Sequence, residues 1–159
     1  MRRLILCLGA VCVIAAPTAG SALAKKSPAK GGKGVLCVLQ ARLTAANETT
    51  GSTSTATGHT LIKVRRDGTI QFKTKINNPN GETFVAGHIH QAAVGVAGPI
   101  VVPLFVAPTP STSARHIKQK GTATPNAGTT GAQICQNPTA YYVNYHTTAF
   151  PGGAIRGQL

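Results

Sequence analysis

The stretch His59-Thr60-Leu61-Ile62-Lys63-Val64-Arg65, then Asp67-Gly68, then Thr69-Ile70-Gln71-Phe72-Lys73-Thr74-Lys75-Ile76, decides the fold class. Successive side chains of a strand point to opposite faces. In the second arm Ile70, Phe72, Thr74 and Ile76 therefore share one face, and Lys73 and Lys75 take the other. An Asp-Gly pair between two alternating runs is the strongest short-range hairpin signal. One face of this hairpin belongs in a core and the other in water, the pattern of an antiparallel sheet.

The same pattern continues on both sides. Val35 to Leu43 reads as a strand and Thr44 to Thr57 as an irregular polar loop. Asn77-Asn78-Pro79-Asn80-Gly81 is a turn cluster, followed by strands over Phe84 to His90 and Ile100 to Val106. Ala107-Pro108-Thr109-Pro110 stops the latter and leads into a polar segment through Ser113. Arg115 to Ala123 is a short strand and Pro125 to Gly131 a loop. Ala140 to Thr147 and Ala154 to Gln158 close the chain, joined by Phe150-Pro151-Gly152-Gly153. No helix start signal with an apolar 3.6-residue period stands out after residue 24. The spacing predicts an all-β protein, an antiparallel β-sandwich or barrel.

Residues 1–24 read as a secretory signal: Arg2 and Arg3, the apolar run Leu4 to Ala16, then Ala22-Leu23-Ala24 as the cleavage site. That run is shorter than the roughly 20 apolar residues a membrane-spanning helix needs. The expected mature chain, 25–159, has no transmembrane segment and is exported, either released or held at the cell surface by charge. It suffices for one domain with a real core. Of sixteen Lys and Arg, Arg2 and Arg3 leave with the signal; against three acids this gives a net of +11. Residues 25–34 hold Lys25, Lys26, Lys30 and Lys33 among Ser, Pro, Ala and Gly, and read as a flexible basic leader. With no aromatic interleaved to stack on bases, a specific nucleic-acid partner is not expected. The net charge favours anionic cell-surface polymer, as a long-range field rather than a site. Cleavage also removes Cys7 and Cys12. Cys37 and Cys135 remain, and in an oxidising compartment they are expected to pair, the alternative being two separately buried thiols.

Ala86-Gly87-His88-Ile89-His90 carries the densest chemical signal. His88 and His90 share a strand face about 6–7 Å apart and can converge on one ion. His146 is the third candidate ligand, with His59 or His116 as a fourth. Imidazoles on strand faces suit copper or zinc. The alternative is that the histidines are structural, bonded to backbone, Thr147 or Asn144. Glu48, Asp67 and Glu82, the only carboxylates, lie in unrelated segments. Ser52, Ser54, Ser111 and Ser113 lack a nucleophile-elbow context, so no catalytic residue is assigned. Asn47-Glu48-Thr49 matches a glycosylation sequon, and Arg156 reads as a structural arginine binding backbone carbonyls.

Gly87-His88-Ile89-His90, Gly98-Pro99-Ile100-Val101-Val102-Pro103-Leu104, Tyr142-Val143-Asn144-Tyr145-His146-Thr147 and Pro151-Gly152-Gly153-Ala154-Ile155-Arg156-Gly157-Gln158-Leu159 together resemble the CHRD (chordin-type) domain. Ala41-Arg42-Leu43-Thr44-Ala45-Ala46-Asn47-Glu48 is similar to that family's opening strand end. The resemblance runs from Val35 to Leu159 and implies an exported β-sandwich with no established general catalytic activity. The architecture expected is immunoglobulin-like or superoxide-dismutase-like, the latter an analogy of fold and of His-x-His spacing. Three departures stand out, one of them a segment from Val106 to Asn137, holding Cys135, that is longer and more polar than usual. Thr49-Thr50-Gly51 replaces the usual valine-proline-proline, and Ala154 stands where an acid usually precedes Ile-Arg-Gly, removing a partner for Arg156. The function expected is a non-catalytic structural or binding module, with a copper- or zinc-binding or redox protein using His88, His90 and His146 as the alternative.

Overall fold

The computed structural model describes residues 34–106 and 112–159. The signal reading of 1–24, nearly all of the leader reading of 25–34 and the strand stop at 107–110 lie outside the described residues.

Strands form where the period-2 pattern runs: β1 (Val35–Thr44), β2 (Thr57–Arg65), β3 (Ile70–Asn77), β4 (Phe84–Gln91), β5 (Ile100–Val106), β6 (His116–Ala123), β7 (Tyr141–Thr147) and β8 (Ile155–Gln158). Burial in β3 alternates strictly, with Ile70, Phe72, Thr74 and Ile76 inside and Lys73 and Lys75 outside, as the sequence predicts. Gly68 (φ +87°) turns the β2–β3 hairpin, and Asp67 accepts from the Thr69 N–H and hydroxyl.

All pairings are antiparallel, and the order is β5-β4-β7-β8-β1-β2-β3-β6. The sheet curls until its edges, β5 and β6, come side by side. Asn126 bridges to β5, donating from its N–H to Val101 O (2.8 Å) and from Nδ2 to Ile100 O (3.1 Å). The result is a nearly closed barrel, which leaves little open edge for another chain to pair with. Leu43, Ile62, Val64, Ile70, Phe84, Ile89, Val102, Val143 and Ile155 fill it and are fully buried. A polar knot sits within this core: Tyr145 donates its hydroxyl to Thr74 Oγ1 at 2.8 Å, and Thr74 also bonds Thr60 at 2.9 Å. Gly87 makes room for that tyrosine, since a Cβ there would stand 2.5 Å from the Tyr145 ring.

One helix corrects the sequence expectation. α1 (Gly131–Gln136) starts inside the polar stretch after Pro125. Its start signal is a capping box: Thr130 Oγ1 accepts from the Gln133 N–H, and the Gln133 side chain accepts from the Thr130 N–H. At six residues it is too short to display a 3.6-residue period, which is why periodicity missed it. α1 carries Cys135, whose disulfide to Cys37 in β1 has its Cα atoms 6.0 Å apart. Among the described residues no helix is long and apolar enough to cross a membrane.

Candidate functional site

The outer side of β4, β7 and β8 is polar yet buried. Ile89, Val143, Tyr145 and Ile155 take the inward positions, so alternation sends His88 and His90 of β4, Tyr142, Asn144 and His146 of β7, and Arg156 of β8 outward. Register sets His90 beside Tyr142, His88 beside Asn144 and Ala86 beside His146, while Asn144 in turn faces Arg156. Two straps of chain cover this face. Residues 92–99 receive Arg156 Nη2 on Ala93 O and Gln158 Nε2 on Ala92 O, both at 3.0 Å. Residues 47–54 reach β8 through Asn47 Nδ2 to Arg156 O (3.0 Å) and the turn before it through Thr50 Oγ1 to Gly153 O (3.0 Å). The amide of the sequon asparagine is thus engaged.

His88, His90 and His146 come together, with one ring nitrogen of each within 4.8 Å of the others. Ring centroids are 5.0 Å (His88–His146), 5.6 Å (His88–His90) and 5.9 Å (His90–His146) apart. Two tautomers follow from the hydrogen bonds. His90 Nδ1 lies 2.9 Å from Gly98 O and His146 Nδ1 lies 2.9 Å from Pro151 O. A carbonyl only accepts, so both Nδ1 atoms carry the proton and both Nε2 atoms present a lone pair. His146 Nε2 takes the bond from His88 Nδ1 at 3.2 Å. His90 Nε2 is buried and has no partner.

Burial holds all three imidazoles below the ordinary histidine pKa, His88 down to about 4. For His88, repulsion from His146 and His90 adds to burial. Neutral imidazole is the ligating form, and a backbone carbonyl on the far nitrogen is the outer support that orients metal-binding histidines. Three nitrogen donors with no carboxylate among them suit copper or zinc and leave a further coordination position open.

Arg156, 2% exposed, lies with its guanidinium carbon 3.4 Å from the Tyr142 ring centroid. Tyr142 in turn stacks on His90, with centroids 4.9 Å apart and planes at 12°. The arginine donates to the backbone carbonyl of Ala93 from a strand in the middle of the sheet. Tyr142 and Tyr145 take opposite faces of β7, Tyr142 beside His90 and Tyr145 in the core.

His59 and His116 are not part of the cluster. Both are exposed on the β2–β3–β6 side, where His59 Nε2 bonds Gln40 Oε1 at 3.0 Å. Sequence reasoning overlooked Glu48 as a neighbour of this face. Its carboxylate and the Asn144 amide both lie about 2.7 Å from where a Cβ on Gly153 would stand, a residue at φ +144°. Burial raises Glu48 to about 7 even though Arg156 pulls it down. Glu48 thus puts an acid near Arg156 although position 154 has none. The only signal for it was the Asn47-Glu48 pair, which lies past the end of β1 across a short 3-10 turn. Glu48 Oε1 and Asn144 Oδ1 are buried without partners, so three of the five such atoms among the described residues belong to this face.

A family model of the CHRD domain matches residues 39–159, most of the chain and all of the site. The chain belongs to the CHRD domain family. Comparison with curated proteins and with solved structures gave no match. The CHRD domain here is therefore the barrel itself, with its histidine face built from the motifs that carry the resemblance. CHRD domains are generally extracellular, and the Cys37–Cys135 disulfide is compatible with that setting.

Proposed function

We propose that this CHRD domain is an exported, non-catalytic binding module that holds a copper or zinc ion through His88, His90 and His146. The observation that carries the reading is the convergence of three imidazole nitrogens within 4.8 Å, with the buried His90 Nε2 lacking any protein partner. A buried polar atom left unpaired costs on the order of 1–3 kcal/mol, and an ion removes that cost. Gly98 O and Pro151 O supply the outer support, and Arg156 on Tyr142 holds the His90 ring from its other face. Three ligands leave room for water or for a group from a partner. Export is supported by the signal-like residues 1–24 and by the disulfide.

Copper and zinc titration of the purified, disulfide-intact chain, beside His88→Ala/His90→Ala, tests this. One equivalent bound by the parent and none by the variant is the expected result. No binding by the parent, with the variant only less stable, would make the histidines part of the fold alone.

A further inference from the structure

The opposite side of the barrel carries a second, independent surface. Strand register fixes a row of four cationic or titratable side chains across β1, β2, β3 and β6: Arg42, His59, Lys75 and Lys118. The next row sets Lys73 beside Lys120. All six are exposed and face outward, because Leu43, Ile62, Ile76 and Ile117 take the inward positions. Lys63 extends the face by one more row.

This arrangement has a cost. Like charges directly opposite on neighbouring strands destabilise a sheet, and Lys75–Lys118 and Lys73–Lys120 are two such pairs side by side. The chain's three acids do nothing to relieve it. Glu48 lies by Arg156, Asp67 bonds Thr69 in the hairpin turn and Glu82 accepts from Ser54 at 2.7 Å. An anionic partner laid on the face would cancel the repulsion.

The geometry says what kind. Strands about 4.8 Å apart spread the row over roughly 14 Å, and charges two residues apart on one strand repeat near every 7 Å. A cleft of about 690 Å³ lies at the strand ends beside this row, lined by its four side chains and also by the inward-facing Leu43, Ile76 and Ile117. A smaller hollow of about 180 Å³ lies among Leu61, Lys63, Gln71 and Lys73, and no aromatic ring stands out from the face, since Phe72 is 7% exposed and belongs to the core. Bases would find no stacking platform there. Gln40, Asn77 and Thr122 flank the charges with amide and hydroxyl groups suited to sugar or polyol hydroxyls. Lysine dominates over arginine, so the face would meet phosphate through point charges rather than through the bidentate fork that arginine brings to phosphate and carboxylate alike. We infer that the β1-β2-β3-β6 face is a docking site for a phosphate-bearing sugar or polyol polymer. This turns the general positive field of the chain into a located surface, and it does not depend on the histidine cluster.

Binding of the full chain to purified poly(glycerol phosphate), followed against salt concentration, tests the inference. Two variants remove the same charge from different places: Lys73→Gln/Lys75→Gln/Lys118→Gln/Lys120→Gln on the sheet, and Lys25→Gln/Lys26→Gln/Lys30→Gln/Lys33→Gln in the N-terminal segment. The sheet variant is expected to lose roughly tenfold or more in affinity, with the log–log salt slope shallower by about 3, while the N-terminal variant keeps the parent's affinity. The sheet variant should also melt no lower than the parent, since it removes repulsion. Equal losses in the two variants would overturn the site in favour of a diffuse field. Duplex DNA or polygalacturonate binding as tightly as poly(glycerol phosphate) would overturn the partner class.

Discussion

His90 and His146 each spend one nitrogen on a backbone carbonyl, and this fixes where their remaining lone pairs point. The parity of His-x-His on a strand is enough to place His88 and His90 on one face, so that part of the site was readable from the sequence. Glu48 was not readable, because no period governs an irregular loop. Its position depends on tertiary bonds such as Asn47 to Arg156 O and Thr50 to Gly153 O. Burial raises Glu48 from 4.5 to about 7, against the pull of Arg156 and the Thr49 N–H. A carboxyl whose folded pKa exceeds its unfolded value binds a proton in the folded state that the unfolded chain has released. Its stabilising contribution is therefore full below about pH 4.5 and is lost as pH rises through 7. Glu48→Gln carries a neutral amide at every pH. In the metal-free protein, the melting temperature of the variant relative to the parent should climb between pH 4.5 and 7. A difference that stays flat over that interval would mean the carboxyl is not held neutral by its surroundings.

At the scale of elements, strands and helix were legible to different degrees for one reason: length relative to the period. Eight strands of four to ten residues show the alternation of β3 or a run of β-formers flanked by turns, and their predicted ends fall within a residue or two of the observed ones. α1 completes fewer than two turns and buries only Gly131 and Ile134, so its apolar pattern carries no information. Its one readable mark is Thr130-x-x-Gln133. Gly131 is required there on packing grounds, since a Cβ would meet Val64 Cγ1 at 2.5 Å. A helix this short draws little stability from propensity, so the cap matters more than usual. Thr130→Ala removes both the N-cap acceptor and the Thr130 hydroxyl bond to Gln133. The expected cost is about 1 kcal/mol in urea denaturation. Hydrogen exchange should speed up more in α1 than in the β3–β6 ladder, where amides that open only by global unfolding should change by no more than the roughly fivefold that 1 kcal/mol implies. Equal acceleration in both would tie the helix to the barrel as one cooperative unit.

For the molecule as a whole, the barrel closes by hydrogen bonding while the disulfide acts elsewhere. The Asn126 segment joins the β5 edge across the gap to β6, and this contact needs neither cysteine. Cys37–Cys135 instead pins α1 to β1 and spans 98 residues of the sequence. A loop of that length restricts the unfolded chain far more than it adds contacts to the folded one. By chain entropy it is worth about 4–5 kcal/mol. Removing it with Cys37→Ser/Cys135→Ser should leave the strand order intact, since every ladder is independently bonded. The far-ultraviolet spectrum of the variant should match the parent's, while its urea midpoint falls. Because the freed denatured chain expands and exposes more surface, the dependence of stability on urea should also steepen. The two effects separate the possible origins of the loss. A lower midpoint with an unchanged slope would place the loss in native contacts around α1. A lower midpoint with a steeper slope would place it in the unfolded chain, as loop closure requires.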